Sequence, residues 1–138
     1  TILQDYIEAD PKVIHRVEFI NSKFFYTVQV DASESFELCP ADACNIEEQF
    51  CPTNPDGNKF MIIKDYKNPE LNNYVNFLKK NEIEIAGIEY MTDTKGVHYT
   101  YDVNTNTNYN SVAEKNAGMF GMKQIALFLK NELQKISK

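Results

Sequence analysis

Three side chains near the middle of the chain carry oxygens suited to one task. Glu89 lies in Gly87-Ile88-Glu89-Tyr90, while Asp102 and Asn104 close the stretch Val97-His98-Tyr99-Thr100-Tyr101-Asp102-Val103-Asn104. Both stretches alternate aromatic or β-branched residues with polar ones at period two, which predicts two strands. On the second, Val97, Tyr99, Tyr101 and Val103 fall on one face, and His98, Thr100, Asp102 and Asn104 on the other. Asp102 and Asn104 then point the same way, where the strand runs into the polar loop Thr105 to Asn110. Two oxygen ligands so placed suit a hard divalent cation such as Mg²⁺, or Mn²⁺ in its stead. Whether Glu89 joins them depends on the turn. Pairing of Thr92 with Val97 around Asp93-Thr94-Lys95-Gly96 puts Glu89 on the face of Asp102. A three-residue loop with Gly96 in a bulge slips the register by one and puts it on the opposite face.

Two other metal chemistries are weaker. Asp102-x-Asn104-x-Asn106-x-Asn108 mimics the opening of an EF-hand loop, but the sixth position is Thr107 where Gly is needed and the twelfth is Ala113 where Glu is needed. Cys39, Cys44 and Cys51 have neither the tight spacing nor the fourth ligand of structural zinc, and are taken as small buried or loop thiols. No Ser/His or Cys/His arrangement for nucleophilic catalysis stands out.

The elements that must position these residues come from the whole chain. Its 138 residues, 43% of them apolar, suit one domain over residues 1–138. A net charge of −6 and a pI near 4.9 argue against a nucleic-acid partner. No apolar run reaches the length of a membrane span, and no charged-then-apolar leader is expected at the chain's start. Three cysteines, an odd number, suit a reducing compartment, so a cytoplasmic protein is expected. Thr1 stands where an initiator Met would, which suggests a piece of something longer.

Ile2 to Ile7 is predicted to be a short strand, ended by Glu8-Ala9-Asp10-Pro11. Ile14 to Ile20 and Phe24 to Asp31 form a predicted hairpin around Asn21-Ser22. With Ile20 opposite Lys23, Val17, Phe19, Phe24, Tyr26 and Val28 line one face, and Arg16, Glu18, Thr27 and Gln29 the other. Residues 32–58 have no periodicity and are expected to be a long irregular loop. Phe60 to Ile63 is a short buried segment. A helix is predicted from Asn68, with Pro69 in its first turn, to Asn81. Ser111-Val112-Ala113-Glu114 matches a capping box. Beyond it Met122, Ile125, Ala126, Leu129, Leu133 and Ile136 form a helical apolar stripe, with Gly118 and Gly121 as break points. The predicted fold class is α+β, an antiparallel sheet with helices packed on one side.

These pieces, in this order, resemble the ATP-grasp superfamily of carboxylate–amine ligases, which includes glutathione synthetase and the enzymes that add glutamate to a protein tail. Asp102-Val103-Asn104 is similar to the family's closing Glu-Val-Asn, with the acid shorter by one methylene. Gln4-Asp5-Tyr6-Ile7 resembles the strand whose backbone meets adenine. The resemblance implies contacts from the Gln4 carbonyl and the Ile7 amide to adenine, with Glu8 or Asp10 near the ribose. Arg16, in His15-Arg16-Val17-Glu18, sits where the family directs an arginine at the transferring phosphate, the one catalytic side chain it implies, while His15 is expected on the apolar face. Glu89, Asp102 and Asn104 would hold Mg²⁺. The chain has no counterpart of the family's N-terminal substrate domain or of its lysine-bearing subdomain, so the likeness is to the C-terminal half of the fold. The implied activity of the whole is ATP- and Mg²⁺-dependent joining of a small-molecule or peptide carboxylate to an amine through an acyl phosphate. This piece alone is expected to be inactive. A non-catalytic binding module of the same fold is the alternative, and a second copy, as in a homodimer, or the 32–58 loop is expected to cover its sheet edges.

Overall fold

The computed structural model describes residues 3, 5–33 and 59–137, so Gln4, Cys39, Cys44, Cys51 and most of the predicted loop lie outside the described residues. The elements are β1 (Val13–Ile20), β2 (Lys23–Asp31), β3 (Phe60–Ile63), α1 (Leu71–Lys80), β4 (Ile85–Thr92), β5 (His98–Asn104), α2 (Ser111–Ala117) and α3 (Gly121–Ile136). The five strands form one antiparallel sheet in the order β3-β2-β1-β4-β5. The α+β class is therefore as the sequence predicts. The β1–β2 turn is tight because Asn21 and Ser22 both take positive φ, 57° and 50°. Ser22 is held there by hydrogen bonds from its N to the Glu84 carbonyl and from its hydroxyl to the Ile83 carbonyl, both 2.9 Å.

The hairpin corrects the predicted faces. Ile20 does pair with Lys23 and Phe19 with Phe24, but a bulge at Phe25 then shifts the register, so Glu18 pairs with Tyr26 and Arg16 with Val28. Tyr26 and Val28 thereby join Arg16 and Glu18, while Thr27 and Gln29 cross to the side of Val17 and His15. One extra residue reverses every side chain beyond it. Both faces consequently bear a core. Val17, Phe19, Ala86, Ile88 and Tyr90 pack with Tyr74 and Leu78 of α1 on the first. Ile14, Tyr26, Val28 and Val30 pack with Tyr109 and Met119 on the second. The helices accordingly divide between the faces instead of sharing one: α1 covers the first, and α2 reaches the second through Glu114, whose Oε1 accepts from Tyr26 Oη at 2.8 Å. His15 lies on the α1 face as predicted, stacked on Tyr90 with ring centroids 5.0 Å apart.

Three local expectations change. The described residues of the predicted first strand, 3 and 5–7, are not a strand. Leu3 and Tyr6 are exposed, and among the described residues strand pairing of this segment is a single bridge between Ala9 and Asp93. A strand needs a backbone ladder along its length, and one bridge beyond Ile7 does not supply it. Helix α1 starts three residues later than predicted, because Asn68 Oδ1 accepts from Glu70 N at 2.8 Å and forms a turn ahead of it. The capping box is not formed. Asn110 is the N-cap of α2, accepting from Ala113 N at 2.8 Å, and Glu114 is buried inward, where it also accepts from Gly121 N at 2.6 Å. Gly118, at φ 68°, ends α2 as expected and separates it from α3.

The apolar stripe of α3 faces outward. Met122, Leu129, Leu133 and Ile136 are exposed, and the helix is anchored by Gly121 and Phe128. Leu78, 0% exposed, and Leu133, 64% exposed, should then respond very differently to truncation. In denaturant melts Leu78→Ala is expected to cost about 2–5 kcal/mol. Leu133→Ala should change stability by no more than about 0.5 kcal/mol.

Candidate functional site

The face that carries Arg16 and Glu18 also carries the acidic residues of β4 and β5, by a route the turn alone does not predict. Thr92 pairs with His98, one residue beyond Val97, which would send Glu89 to the wrong side. A bulge at Tyr101 adds a second one-residue shift, and the two cancel. Glu89 then pairs directly with Asp102, and Gly87 with Asn104. On the other flank of β4, Arg16 pairs with Glu89 and Glu18 with Gly87. Arg16, Glu18, Glu89, Asp102 and Asn104 thus form one patch across three adjacent strands. The same bulge separates residues that simple alternation had grouped. Thr100 goes to the α1 face, where its Oγ1 lies 2.7 Å from Tyr74 Oη, and His98 stacks on Tyr90 there.

Charge on this patch is unequally buried. Glu89 is buried and Asp102 exposed. Burial raises the Glu89 carboxyl above its ordinary range, and the neighbouring Asp102 adds to that; the Tyr101 hydroxyl, which donates to Glu89 Oε2 at 3.1 Å, and Arg16 oppose it. Glu18 is fully buried, and burial lifts its carboxyl from an ordinary 4.5 to about 7 even though Arg16 Nε donates to its Oε1 at 2.7 Å. The Arg16 Nη2 donates to the Asn108 carbonyl at 2.7 Å, which ties the asparagine loop to the sheet. Asn104 Oδ1 accepts from Asn106 N at 2.8 Å, shaping the start of that loop and leaving a second lone pair.

Not every predicted site residue comes to this patch. Ile7 is half-buried, and Glu8 and Asp10 are exposed, on the segment that meets the turn end of β4 through Asp10 N and the Thr92 carbonyl at 2.9 Å. Among the described residues they make no side-chain hydrogen bond or ion pair with Arg16, Glu89, Asp102 or Asn104. Among the described residues no three His, Cys, Asp or Glu side chains cluster as metal ligands. The oxygen set here is two carboxylates and an amide. Sequence reasoning placed Glu18 on the polar face without assigning it a task, and did not find Tyr101, whose arrival on this face depends on the bulge.

Glu18 gives the patch a pH signature. Between about pH 4.5 and 7 the folded chain holds a proton that the unfolded chain has released, so this group's contribution falls as pH rises through that window. The full effect is on the order of 3 kcal/mol. His15, whose affinity for a proton is lowered by burial and by His98, acts with the opposite sign, so the comparison must be differential. Stability of the native chain minus that of Glu18→Gln, from denaturant melts at pH 5 to 8, is expected to fall steadily with pH.

No protein-family model and no curated protein matches the chain. Solved structures do match it. The ATP-grasp ligase PsnB complexed with minimal precursor superposes with a TM-score of 0.60 at 11% identity, over 94% of this chain and 36% of that one. A Chryseobacterium gregarium RiPP-associated ATP-grasp ligase, in complex with ADP and a leader and core peptide, gives 0.57 at 17%, over 91% and 34%. The macrocyclase MdnC from Microcystis aeruginosa MRC, bound with precursor peptide MdnA, gives 0.54 at 14%, over 88% and 34%. A further PsnB structure holds Mg and ADP beside the precursor. The chain spans about a third of the length of these structures. Among the described residues its five-stranded antiparallel sheet and three helices form an ATP-grasp-like fold.

Proposed function

We propose that this chain is the C-terminal part of an ATP-grasp ligase and forms one wall of a cleft in which ATP activates a carboxylate for attack by an amine. The observation that carries this reading is the register: Arg16, Glu89 and Asp102 stand side by side on β1, β4 and β5, on one face of an ATP-grasp-like sheet. The donor set fits Mg²⁺, because carboxylate and amide oxygens are what a hard cation takes. Glu89, Asp102 and Asn104 would hold it, and the raised Glu89 carboxyl marks a place where added positive charge is favourable. When bound, Mg²⁺ supplies neutralisation of the charge on the phosphate oxygens. Arg16, always charged and forked, binds and orients the transferred phosphoryl group. Ile7, with Gln4, would offer backbone groups to adenine, and Glu8 or Asp10 the ribose contact. Because the similar structures hold precursor peptides, a peptide is the favoured source of the carboxylate.

A non-catalytic module of the same fold is the competing reading, favoured by the lack of a strand over the described residues of the hinge segment. Metal uptake separates the two. On the ligase reading, Mn²⁺ followed by electron paramagnetic resonance should bind the chain in the presence of ADP, at roughly millimolar affinity because the chain spans only about a third of the ligases it is similar to. Asp102→Asn should weaken that uptake by at least about tenfold, since it removes a charged ligand. It should leave the melting temperature unchanged or higher, because it relieves the repulsion of Glu89. Equal Mn·ADP affinity in the folded variant would defeat the ligase reading.

A further inference from the structure

Arg16 is the only arginine in the chain; every other basic residue that could carry a fixed charge is a lysine. It lies on the sheet with its side chain 15% exposed, against a glutamate with no exposure at all. A buried pair of this kind is seldom the cheapest way to fill a sheet interior, because the desolvation of two charges offsets much of their attraction. Glu18 Oε2 is buried beneath Thr107, whose hydroxyl, like Arg16, favours the charged carboxylate. Space for the pair is provided by Gly87 opposite. A Cβ there would come within 3.2 Å of Glu18 Oε2, 3.3 Å of Arg16 Cδ and 2.8 Å of Thr107 Cγ2.

What the pair achieves is orientation. Glu18 takes the Nε–H, the one donor whose capture stops rotation of the guanidinium about its last bond, and the Asn108 carbonyl takes one Nη2–H. Two of five N–H groups are thereby committed, which leaves the Nη1 pair and one Nη2–H for other acceptors.

We propose that Glu18 is a positioning residue for phosphate binding: it fixes the roll of the Arg16 guanidinium so that its remaining N–H groups are presented, preorganised, to an anionic phosphoryl group. This rests on the reading of Arg16 as the phosphate-binding arginine, and goes beyond it by assigning the buried carboxylate a task. A fixed fork loses less freedom on binding than a mobile one, so the gain is in affinity for the phosphate and in arginine order, not in fold stability.

A sole arginine makes the test direct. In chain labelled at arginine Nε, one Hε resonance is expected at pH 8, sharp and slow to exchange. Glu18→Gln, which keeps an oxygen acceptor of the same shape, should retain a shifted resonance. Glu18→Leu should broaden it. Titration with Mg·ATP below the melting temperature should then show affinity weakened about tenfold in Glu18→Leu and less in Glu18→Gln, a split that a merely structural carboxylate would not produce. Should Glu18→Leu fail to fold, Glu18→Gln carries the test through its resonance and its affinity together. Wild-type Mg·ATP affinity in either folded Glu18 variant, with Arg16→Met losing it, overturns the positioning role and leaves Arg16 in place. Wild-type affinity in Arg16→Met overturns the reading of Arg16 itself.

Discussion

Along an antiparallel pair, alternate side chains face opposite sides, so one residue of slip moves every carboxylate of β5 away from β4. The cation site proposed for this molecule depends on that slip being absent at Asp102, and it is absent only because two irregularities compensate. The Asp93–Gly96 turn sets Thr92 against His98, an offset of one, and the bulge at Tyr101 adds another. The turn is itself strongly held: Asp93 Oδ1 accepts from the backbone N of Lys95 and of Val97, both at 2.8 Å. A turn fixed this firmly cannot relax to correct the register, so the correction falls to β5. The bulge brings one further gain, since the extra residue turns Tyr101 toward Glu89 and supplies the hydroxyl that partly solvates a buried carboxylate.

The second bulge, at Phe25, works the same way on the other side of the sheet. It carries Tyr26 to the face of Glu18, and Tyr26 then meets Glu114 of α2. Glu114 in turn accepts the backbone N of Gly121, the first residue of α3. Gly121 is required there, because a Cβ would fall 2.7 Å from the ring of Tyr109. A chain of contacts therefore runs from the register of β1–β2 through one buried carboxylate to the place where the last helix begins. Helix placement in this molecule is a consequence of strand register.

That dependence explains what could be seen in the residues. The strands, the Asn21-Ser22 turn, the helical segments and the break between α2 and α3 follow from periodicity and turn chemistry, which are local. The faces do not, since a bulge has no periodicity. Phe24-Phe25-Tyr26 offered a hint, three aromatic residues in a row where strict alternation requires a polar one. The stripe on α3 shows another limit. Its spacing describes one side of a helix, but nothing in it says which surface that side meets, and in the fold the buried side is instead built from Gly121 and Phe128. Ser111 and Glu114 matched a cap by spacing, yet a nearby buried tyrosine hydroxyl claimed the glutamate. Tertiary partners decided each of these cases. Among candidate site residues, the juxtaposition of Glu89 and Asp102 was legible as one of two registers, whereas the adenine segment rested on resemblance alone.

Charge on the patch gives the proposed function its physical basis. Three carboxylates, Glu18, Glu89 and Asp102, share a face with one guanidinium. Among the described residues Arg16 hydrogen-bonds to Glu18 and not to Glu89, so the repulsion between Glu89 and Asp102 is offset only by the Tyr101 hydroxyl on Glu89 and by the more distant charge of Arg16. Like charges directly opposed across two strands destabilise a sheet. A fold selected for stability alone would replace one of them, and a β-branched residue at position 89 would pack at no electrostatic cost. On the proposed reading, the unfavourable pair is kept because a divalent cation reverses its sign. On that reading the two carboxylates that repel one another would become a clamp, and their repulsion would be returned as affinity when metal and phosphate bind together.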